Sequence, residues 1–376
     1  MIIGVPKEIL SDENRVALTP DGAATLRKYN HQVLMEKSAG SGSGFTDESY
    51  ASAGAALLER VEDIFEKAEL ILKVKDPQPV EYDYFKNGRI LFTFLHLAPK
   101  RELTEAILKA KIIGIAYETV QLENGCLPLL KPMSEIAGRM AVQVGAQLLT
   151  KPHGGKGLLF SGASGVPAAK VTIIGGGIAG SNAAKVAVGM GADVVVLEKN
   201  REKLKTLDSL FGSCIKTAMS TKENIAGYVE QADLLIGAAL QPGARAPKLV
   251  TEDMVKKMSY GSVIVDIAID QGGCVETVDR ATTHDQPTYV KHGIVHYSVA
   301  NMPGAVPRTA TIALTNATFP YILSIANMGC KEALLRDAAL CKGVNVFCGH
   351  VTCKAVADAH QLAHSPLLKV IRQVRP

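Results

Sequence analysis

No apolar run in this chain is long enough to cross a bilayer; the longest candidates, such as LLIGAAL at 234–240, are strand-sized. The opening MIIGVPKEIL has neither the basic start nor the long apolar core of a signal peptide. Charge of one sign is also missing. Basic side chains number 41 and acidic ones 37, and the surplus of +4 cannot by itself make a nucleic-acid binder. The 7 cysteines are odd in number and follow no disulfide spacing, so a reducing cytoplasm is the simplest setting. Tryptophan is absent. What is present is a soluble globular balance, 47% hydrophobic and 21% charged, which excludes disorder. A length of 376 residues suggests two domains, and 34 glycines suggest tight turns and close backbone approaches.

Short aliphatic runs recur at 2–5, 70–75, 89–96, 112–120, 171–174, 192–198, 233–240, 262–270 and 294–300. Helix-length segments with three- and four-residue apolar spacing lie between them, at 103–110 and 182–190 for example. The alternation predicts an α/β fold with mostly parallel sheets covered on both faces. The glycine-rich stretch 153–165 resembles a linker or flap between two such series, and a second candidate boundary falls at 303–307. Beyond it the pattern is mostly helical, at 313–326, 331–340 and 354–362.

The strongest local signal is VTIIGGGIAGSNAAKVAVGMGADVVVLE at 171–198. Gly175, Gly177 and Gly180 form G-x-G-x-x-G directly after a buried strand, and a second strand ends in Glu198. Gly175 permits the turn, Gly177 admits a pyrophosphate to the backbone, and Gly180 lets helix and strand pack closely. The helix N-terminus offers N–H groups to phosphates. Glu198 would accept from the adenosine ribose hydroxyls and favours NAD over NADP, a preference that Lys199 and Arg201 soften. SAGSGSGF at 38–45 lacks the spacing and reads as a plain loop. HGGKG at 153–157 lacks the Ser or Thr that a P-loop needs after its lysine.

Ligands of open α/β sheets bind beyond the carboxyl ends of the strands. Four polar residues stand at such ends: Arg15 after the first strand, Lys75 closing LILKVK, His96 closing RILFTFLH, and Asp270 closing SVIVDIAID. Arg15 and Lys75 suit a substrate carboxylate, and His96 with Asp270 suits acid–base work near neutral pH. Alone, a strand-end Lys or Asp is usually a solvated end or a helix cap, and His96 after an apolar run reads also as a satisfied structural histidine. The four together, beside a nucleotide loop, point to catalysis.

Along nearly its whole length the chain resembles the bacterial alanine dehydrogenase family. The carrying segments include GVPKE at 4–8, ENRVALTP at 13–20, LKVKDP at 72–77, LFTFLHLA at 91–98, AYETVQ at 116–121, PMSEIAGRMA at 132–141, VDIAIDQGGC at 265–274 and VANMPGAVPRTAT at 299–311. The soluble subunit of proton-translocating transhydrogenase is similar less fully. The resemblance implies reversible, NAD-dependent oxidative deamination of L-alanine to pyruvate and ammonium, in a cytoplasmic homohexamer. It implies substrate binding by Arg15 and Lys75 and acid–base catalysis by His96 and Asp270. Cofactor contacts carry over onto Ser134, Gly175, Gly177, Ile178, Gly180, Glu198, Lys203, Ser220, Ala239, Leu240, Ile267, Asp270, Arg280, Val299, Asn301 and Met302. The family usually has Asp where this chain has Glu198. Some members ligate magnesium after Tyr321 through a Glu and a His; Ser324 and Met328 stand there in this chain, so no such metal is expected. Two Rossmann-like domains follow, an NAD-binding domain at 129–304 inserted into a discontinuous catalytic domain made of 1–128 and 305–376.

Cys348, His350 and Cys353, with His360 and His364 nearby, invite a zinc reading, but their spacing fits no familiar zinc motif. Cys274 reads as a small buried residue. Three rivals stay open: a transhydrogenase-like subunit without its own substrate, a nucleotide-binding regulator with a dead site, and a dehydrogenase for another amino acid.

Overall fold

The computed structural model describes residues 1–239 and 246–373. Among them the chain forms β1 (Ile2–Val5), β2 (Gln32–Glu36), β3 (Ala56–Leu58), β4 (Leu70–Leu72), β5 (Ile90–Thr93) and β6 (Ile113–Ala116). There follow β7 (Lys170–Ile174), β8 (Asp193–Glu198), β9 (Lys216–Met219), β10 (Leu234–Gly237), β11 (Val263–Asp266), β12 (Thr288–Lys291) and β13 (Ile294–Tyr297). The last two strands are β14 (Val344–Phe347) and β15 (His350–Val351). Residues 1–133 with 306–376 make one compact unit, and 134–305 make a second.

In the first unit the sheet order is β15-β14-β6-β5-β4-β1-β2-β3. The six strands from β6 to β3 are parallel, and β14 and β15 add an antiparallel edge. Strands β4, β5 and β6 are buried along their whole length, which is why they read as unbroken aliphatic runs rather than alternating ones. The helix Arg101–Lys109 turns Leu103, Thr104 and Ile107 onto this sheet, where Ile71, Leu91 and Leu95 join the same core.

In the second unit the order is β12-β13-β11-β10-β7-β8-β9, parallel except for β12. Both sheets therefore follow one plan: the first three strands run outward from the start, and the fourth returns to its other side. The reversal falls between β1 and β4 in one unit and between β7 and β10 in the other, and such a switch point opens a crevice at the carboxyl ends of the strands.

Three expected strands end sooner than their apolar runs. The runs 70–75, 89–96 and 262–270 leave their sheets at Leu72, Thr93 and Asp266. Beyond those points several N–H groups turn from the ladder to side-chain carboxylates, while Lys73 and Phe94 still donate to Phe92 O and Val74 O. Val74 donates to Glu8, Leu95 and His96 donate to Glu118, and Ala268 donates to Asp266.

The segment 153–165 is no linker. It is pinned inside the second unit by Lys156 N–H to Gly261 O at 3.0 Å and Lys156 Nζ to Asp233 at 2.7 Å. The expected helix 331–340 is two helices, Cys330–Arg336 and Ala338–Gly343. Asp337 caps the second by accepting from Ala339 and Leu340. Among the described residues no helix is long and apolar enough to cross a membrane.

Candidate active site

At the switch point of the first unit, charge is buried in quantity. Lys73 is 1% exposed, with its ammonium 3.3 Å from Glu8 Oε2 and 2.9 Å from Glu81 Oε1. Burial alone would lower the lysine's pKa; the two carboxylates outweigh it and raise it. Glu8 is pushed up by its own burial, against the pull of Lys73. Its Oε1 accepts from Val74 N–H at 2.6 Å and Lys75 N–H at 3.4 Å, so this triad fixes the backbone that carries Lys75. On the far side of Lys75, Asp76 pairs with Lys100. Lys75 thus stands half-buried between two ion pairs.

Arg15 is 3% exposed and pairs with Glu13 through two donors, Nε to Oε1 at 2.6 Å and Nη2 to Oε2 at 2.5 Å; Nη1 lies 3.1 Å from Met133 Sδ. Burial works to raise Glu13, but the hydrogen bonds and charge of Arg15, helped by Lys75, hold its carboxyl below the ordinary value. The next residue is tied down as well: Val16 N–H donates to Thr311 Oγ1 at 3.0 Å. The loop 38–45 joins this anchor through the buried Ser43, whose hydroxyl lies 2.8 Å from Thr311 Oγ1. His96 is exposed beyond the end of β5. One unit therefore carries Arg15, Lys75 and His96; Asp270 is on the other.

In the second unit the glycine loop sits at the switch point. Gly175 has φ +105°, and a Cβ there would lie 2.8 Å from Ala238 O, in the chain just after β10. A Cβ on Gly180 would lie 1.8 Å from Gly175 O, so the helix Ile178–Gly189 can approach its strand only without one. At Gly177 a Cβ meets nothing within 4 Å. Gly177 also brings no side chain to cap that helix, so the first turn presents N–H groups to an open space, a cradle of the kind that phosphates occupy. Ile178 opens the helix, and Ala239 follows Ala238 beside Gly175. Ser134 lies one turn before Gly138 on the helix Lys131–Leu148, and a Cβ on Gly138 would come 2.1 Å from Ala179 O. Leu240 lies outside the described residues.

Glu198 is 7% exposed and already holds three backbone donors: Gly176 N–H at 2.9 Å, Lys199 N–H at 2.8 Å and Asn200 N–H at 3.0 Å. It ties the glycine loop to the end of β8 before any ligand arrives. Ser220 N–H donates to Glu198 O at 3.1 Å, and Lys203 lies in the first turn of the helix Arg201–Phe211, its N–H 3.3 Å from the capping Asn200 Oδ1.

Asp270 stands exposed on the turn Ile267–Gln271 after β11. That turn is held by Asp266, fully buried, which accepts from Ala268 at 3.0 Å, Cys274 at 2.8 Å and Val275 at 3.1 Å. Burial raises the Asp266 carboxyl, and the three N–H groups oppose the rise. Cys274 is buried against it. Asp270 Oδ1 accepts from Asn301 N–H at 3.3 Å, which brings two predicted residues together. Ile267 is half-buried, whereas Val299 and Met302 are 1% and 3% exposed.

Arg280 lies 4.2 Å over the ring of Tyr289, which stacks on His296 at 5.0 Å and 16°. His296 is fully buried. Its Nδ1 donates to Ile294 O at 2.9 Å, and in the neutral ring Nε2 accepts from the Thr277 hydroxyl at 2.8 Å. Burial pushes its pKa down to about 4, against an ordinary 6.5. Between those values the unfolded chain binds a proton that the folded chain refuses. The histidine's contribution is therefore complete above pH 6.5 and is lost as pH falls toward 4, a change of about 3 kcal/mol. His296→Gln should flatten that part of the pH–stability curve, measured by urea unfolding of both proteins across this range. An unchanged slope would refute it.

The Cys/His-rich C-terminal segment is spoken for in part. His360 is buried with Nε2 2.8 Å from Leu97 O, and His364 Nε2 lies 3.2 Å from Thr352 O. Among the described residues no three His, Cys, Asp or Glu side chains gather as a metal-holding group. Ser324 and Met328 lie on the helix Pro307–Met328.

Sequence reasoning missed Glu8, Glu13, Lys73, Glu81, Glu118 and Asp266. The available signal was charge inside or beside apolar strand runs, which is costly to bury without a partner.

Two family models cover most of the chain: Alanine dehydrogenase/PNT, N-terminal domain, over residues 4–137, and Alanine dehydrogenase/PNT, C-terminal domain, over residues 141–354. An alanine dehydrogenase of Bacillus subtilis (strain 168) is 60% identical over 372 residues, 99% of this chain and 98% of that protein. One from Methanococcus maripaludis is 57% identical over 373 residues, 99% of this chain and all of that one. A solved L-alanine dehydrogenase structure superposes with a TM-score of 0.93 at 50% identity, covering 96% of this chain and 99% of that one. The chain belongs to the alanine dehydrogenase/PNT family.

Proposed function

We propose that the chain is an L-alanine dehydrogenase that interconverts L-alanine and pyruvate plus ammonium with NAD. The observation that carries this reading is the cationic group at the switch point of the first unit: buried Arg15 and half-buried Lys75 around Glu13, with His96 exposed beyond the end of β5. A nicotinamide dinucleotide in the glycine-loop cradle, within a domain spanning 129–304, supplies the hydride acceptor or donor. The remaining work falls to side chains. Arg15 and Lys75 hold the substrate carboxylate and carbonyl oxygen in one orientation. Lys75 stabilises charge that develops on the carbonyl oxygen. Water adds to the iminium carbon and ammonia leaves, and His96 and Asp270 exchange the protons of those steps. The enzyme would work as a cytoplasmic homohexamer, as the family resemblance implies.

A transhydrogenase-like subunit, which passes hydride between nucleotides, has no use for a carboxylate-binding pair. The discriminating experiment follows NADH oxidation with ammonium and pyruvate, glyoxylate, 2-oxobutyrate or 2-oxoglutarate. The highest kcat/KM is expected with pyruvate, and no oxidation is expected without ammonium. NADPH should serve poorly, since the Glu198 carboxylate repels a 2′-phosphate. Inactivity with every oxo acid would refute the dehydrogenase reading.

A further inference from the structure

The backbone that presents His96 is unusual and has a dedicated partner. His96 has φ +47°, in the left-handed region that non-glycine residues seldom enter. Such a conformation persists only where the surroundings over-determine it. Here they do. β6 ends at Ala116 and runs into the tight turn Tyr117–Thr119, which carries Glu118. Glu118 Oε1 accepts from His96 N–H at 2.6 Å, and Oε2 accepts from Leu95 N–H at 3.3 Å. Two successive N–H groups that converge on one anion form a nest, and this one is filled by a side chain of the neighbouring strand end.

The same turn also steadies the ring. His96 stacks on Phe94 at 5.8 Å and 21°, and Phe94 packs edge-on against Tyr117 at 5.1 Å and 84°. Tyr117 in turn sits edge-on to Phe92 at 4.5 Å. No hydrogen bond to the ring nitrogens of His96 occurs among the described residues. A catalytic histidine is commonly aimed by a group bonded to its second ring nitrogen. Here the aim comes through the backbone and a stacked face, which leaves both nitrogens to the reaction.

We infer that Glu118 is a positioning residue for the reaction: its carboxylate fills the nest of Leu95 and His96 and thereby sets the direction of the imidazole. The inference rests on the reading of His96 as a proton-transfer group. In the full-length enzyme, Glu118→Ala should lower kcat for reductive amination by about 10- to 100-fold, while the pyruvate KM and the NADH Kd stay within about twofold. The melting temperature should hold. Glu118→Gln, whose amide oxygen can still accept from His96, should return kcat to within about fivefold of the parent. If the alanine variant does not fold, Glu118→Asp replaces it, one methylene too short for the nest, with the same expectation. The inference is overturned if Glu118→Ala keeps the parent kcat. It is equally overturned if kcat, KM and melting temperature deteriorate together and glutamine does no better than alanine. His96→Ala is assayed in parallel. Turnover by that variant would sink the reading of His96 itself; a dead His96→Ala beside a normal Glu118→Ala would sink only the role of Glu118.

Discussion

His96→Ala and Asp270→Ala should each cost at least about 10³-fold in turnover, roughly 4 kcal/mol of barrier, while NADH still binds. The expectation follows from where the two groups stand. Both are exposed, and neither holds its element together: β5 is finished before His96, and the turn of Asp270 is organised by the buried Asp266. Removing either side chain therefore leaves the core intact and takes away a proton carrier. Asp270 has one further bond, from Asn301 N–H, which Asp270→Asn would keep. That variant should be nearly as inactive as the alanine one, because an amide cannot take the proton. NADH binding is read from nicotinamide emission, which no indole obscures since the chain has no tryptophan. Parent-like turnover in either alanine variant would remove that residue from the mechanism.

The readable and unreadable parts of this molecule differ in how far apart the cooperating residues lie. The glycine loop is local: Gly175, Gly177, Gly180 and Glu198 fall within one strand–turn–helix–strand unit, so spacing alone carries its chemistry. The strand-end residues were legible because a charge after an aliphatic run marks the exit from a sheet. The charged group beneath them was not. Glu8 finds Lys73, and Leu95 and His96 find Glu118, only because β1 neighbours β4 and β5 neighbours β6. A sequence has no signal for that pairing until topology is known. The helix Lys131–Leu148 escaped notice for a related reason. Its Gly138 weakens the helical pattern, and the glycine is explained only by the passing backbone of Ala179. By its place at the end of the second strand, Glu198 reads as a ribose ligand. In the fold it has an earlier duty, closing the loop onto β8 through three backbone donors, and its longer side chain allows that reach.

Two alanine substitutions three residues apart should fail in different ways, and the difference tests the cradle directly. At Gly180 the new methyl would stand 1.8 Å from the carbonyl oxygen of Gly175, which is backbone and cannot swing aside. Helix and strand must separate, at a cost of about 3 kcal/mol or more, so Gly180→Ala should lose thermal stability and NADH binding together. At Gly177 φ is −72°, which alanine adopts readily, and the added Cβ meets no protein atom within 4 Å. Stability should then stay within about 0.5 kcal/mol of the parent. The methyl nonetheless occupies the space that backbone leaves for a pyrophosphate at the helix N-terminus, so the NADH Kd should rise by about tenfold or more. Calorimetric melting and NADH titration on the same preparations separate the two outcomes. A Gly177→Ala protein that binds NADH as the parent does would mean that the pyrophosphate lies elsewhere. A Gly180→Ala protein of parent stability would mean that the contact between helix and strand has slack that the present geometry denies.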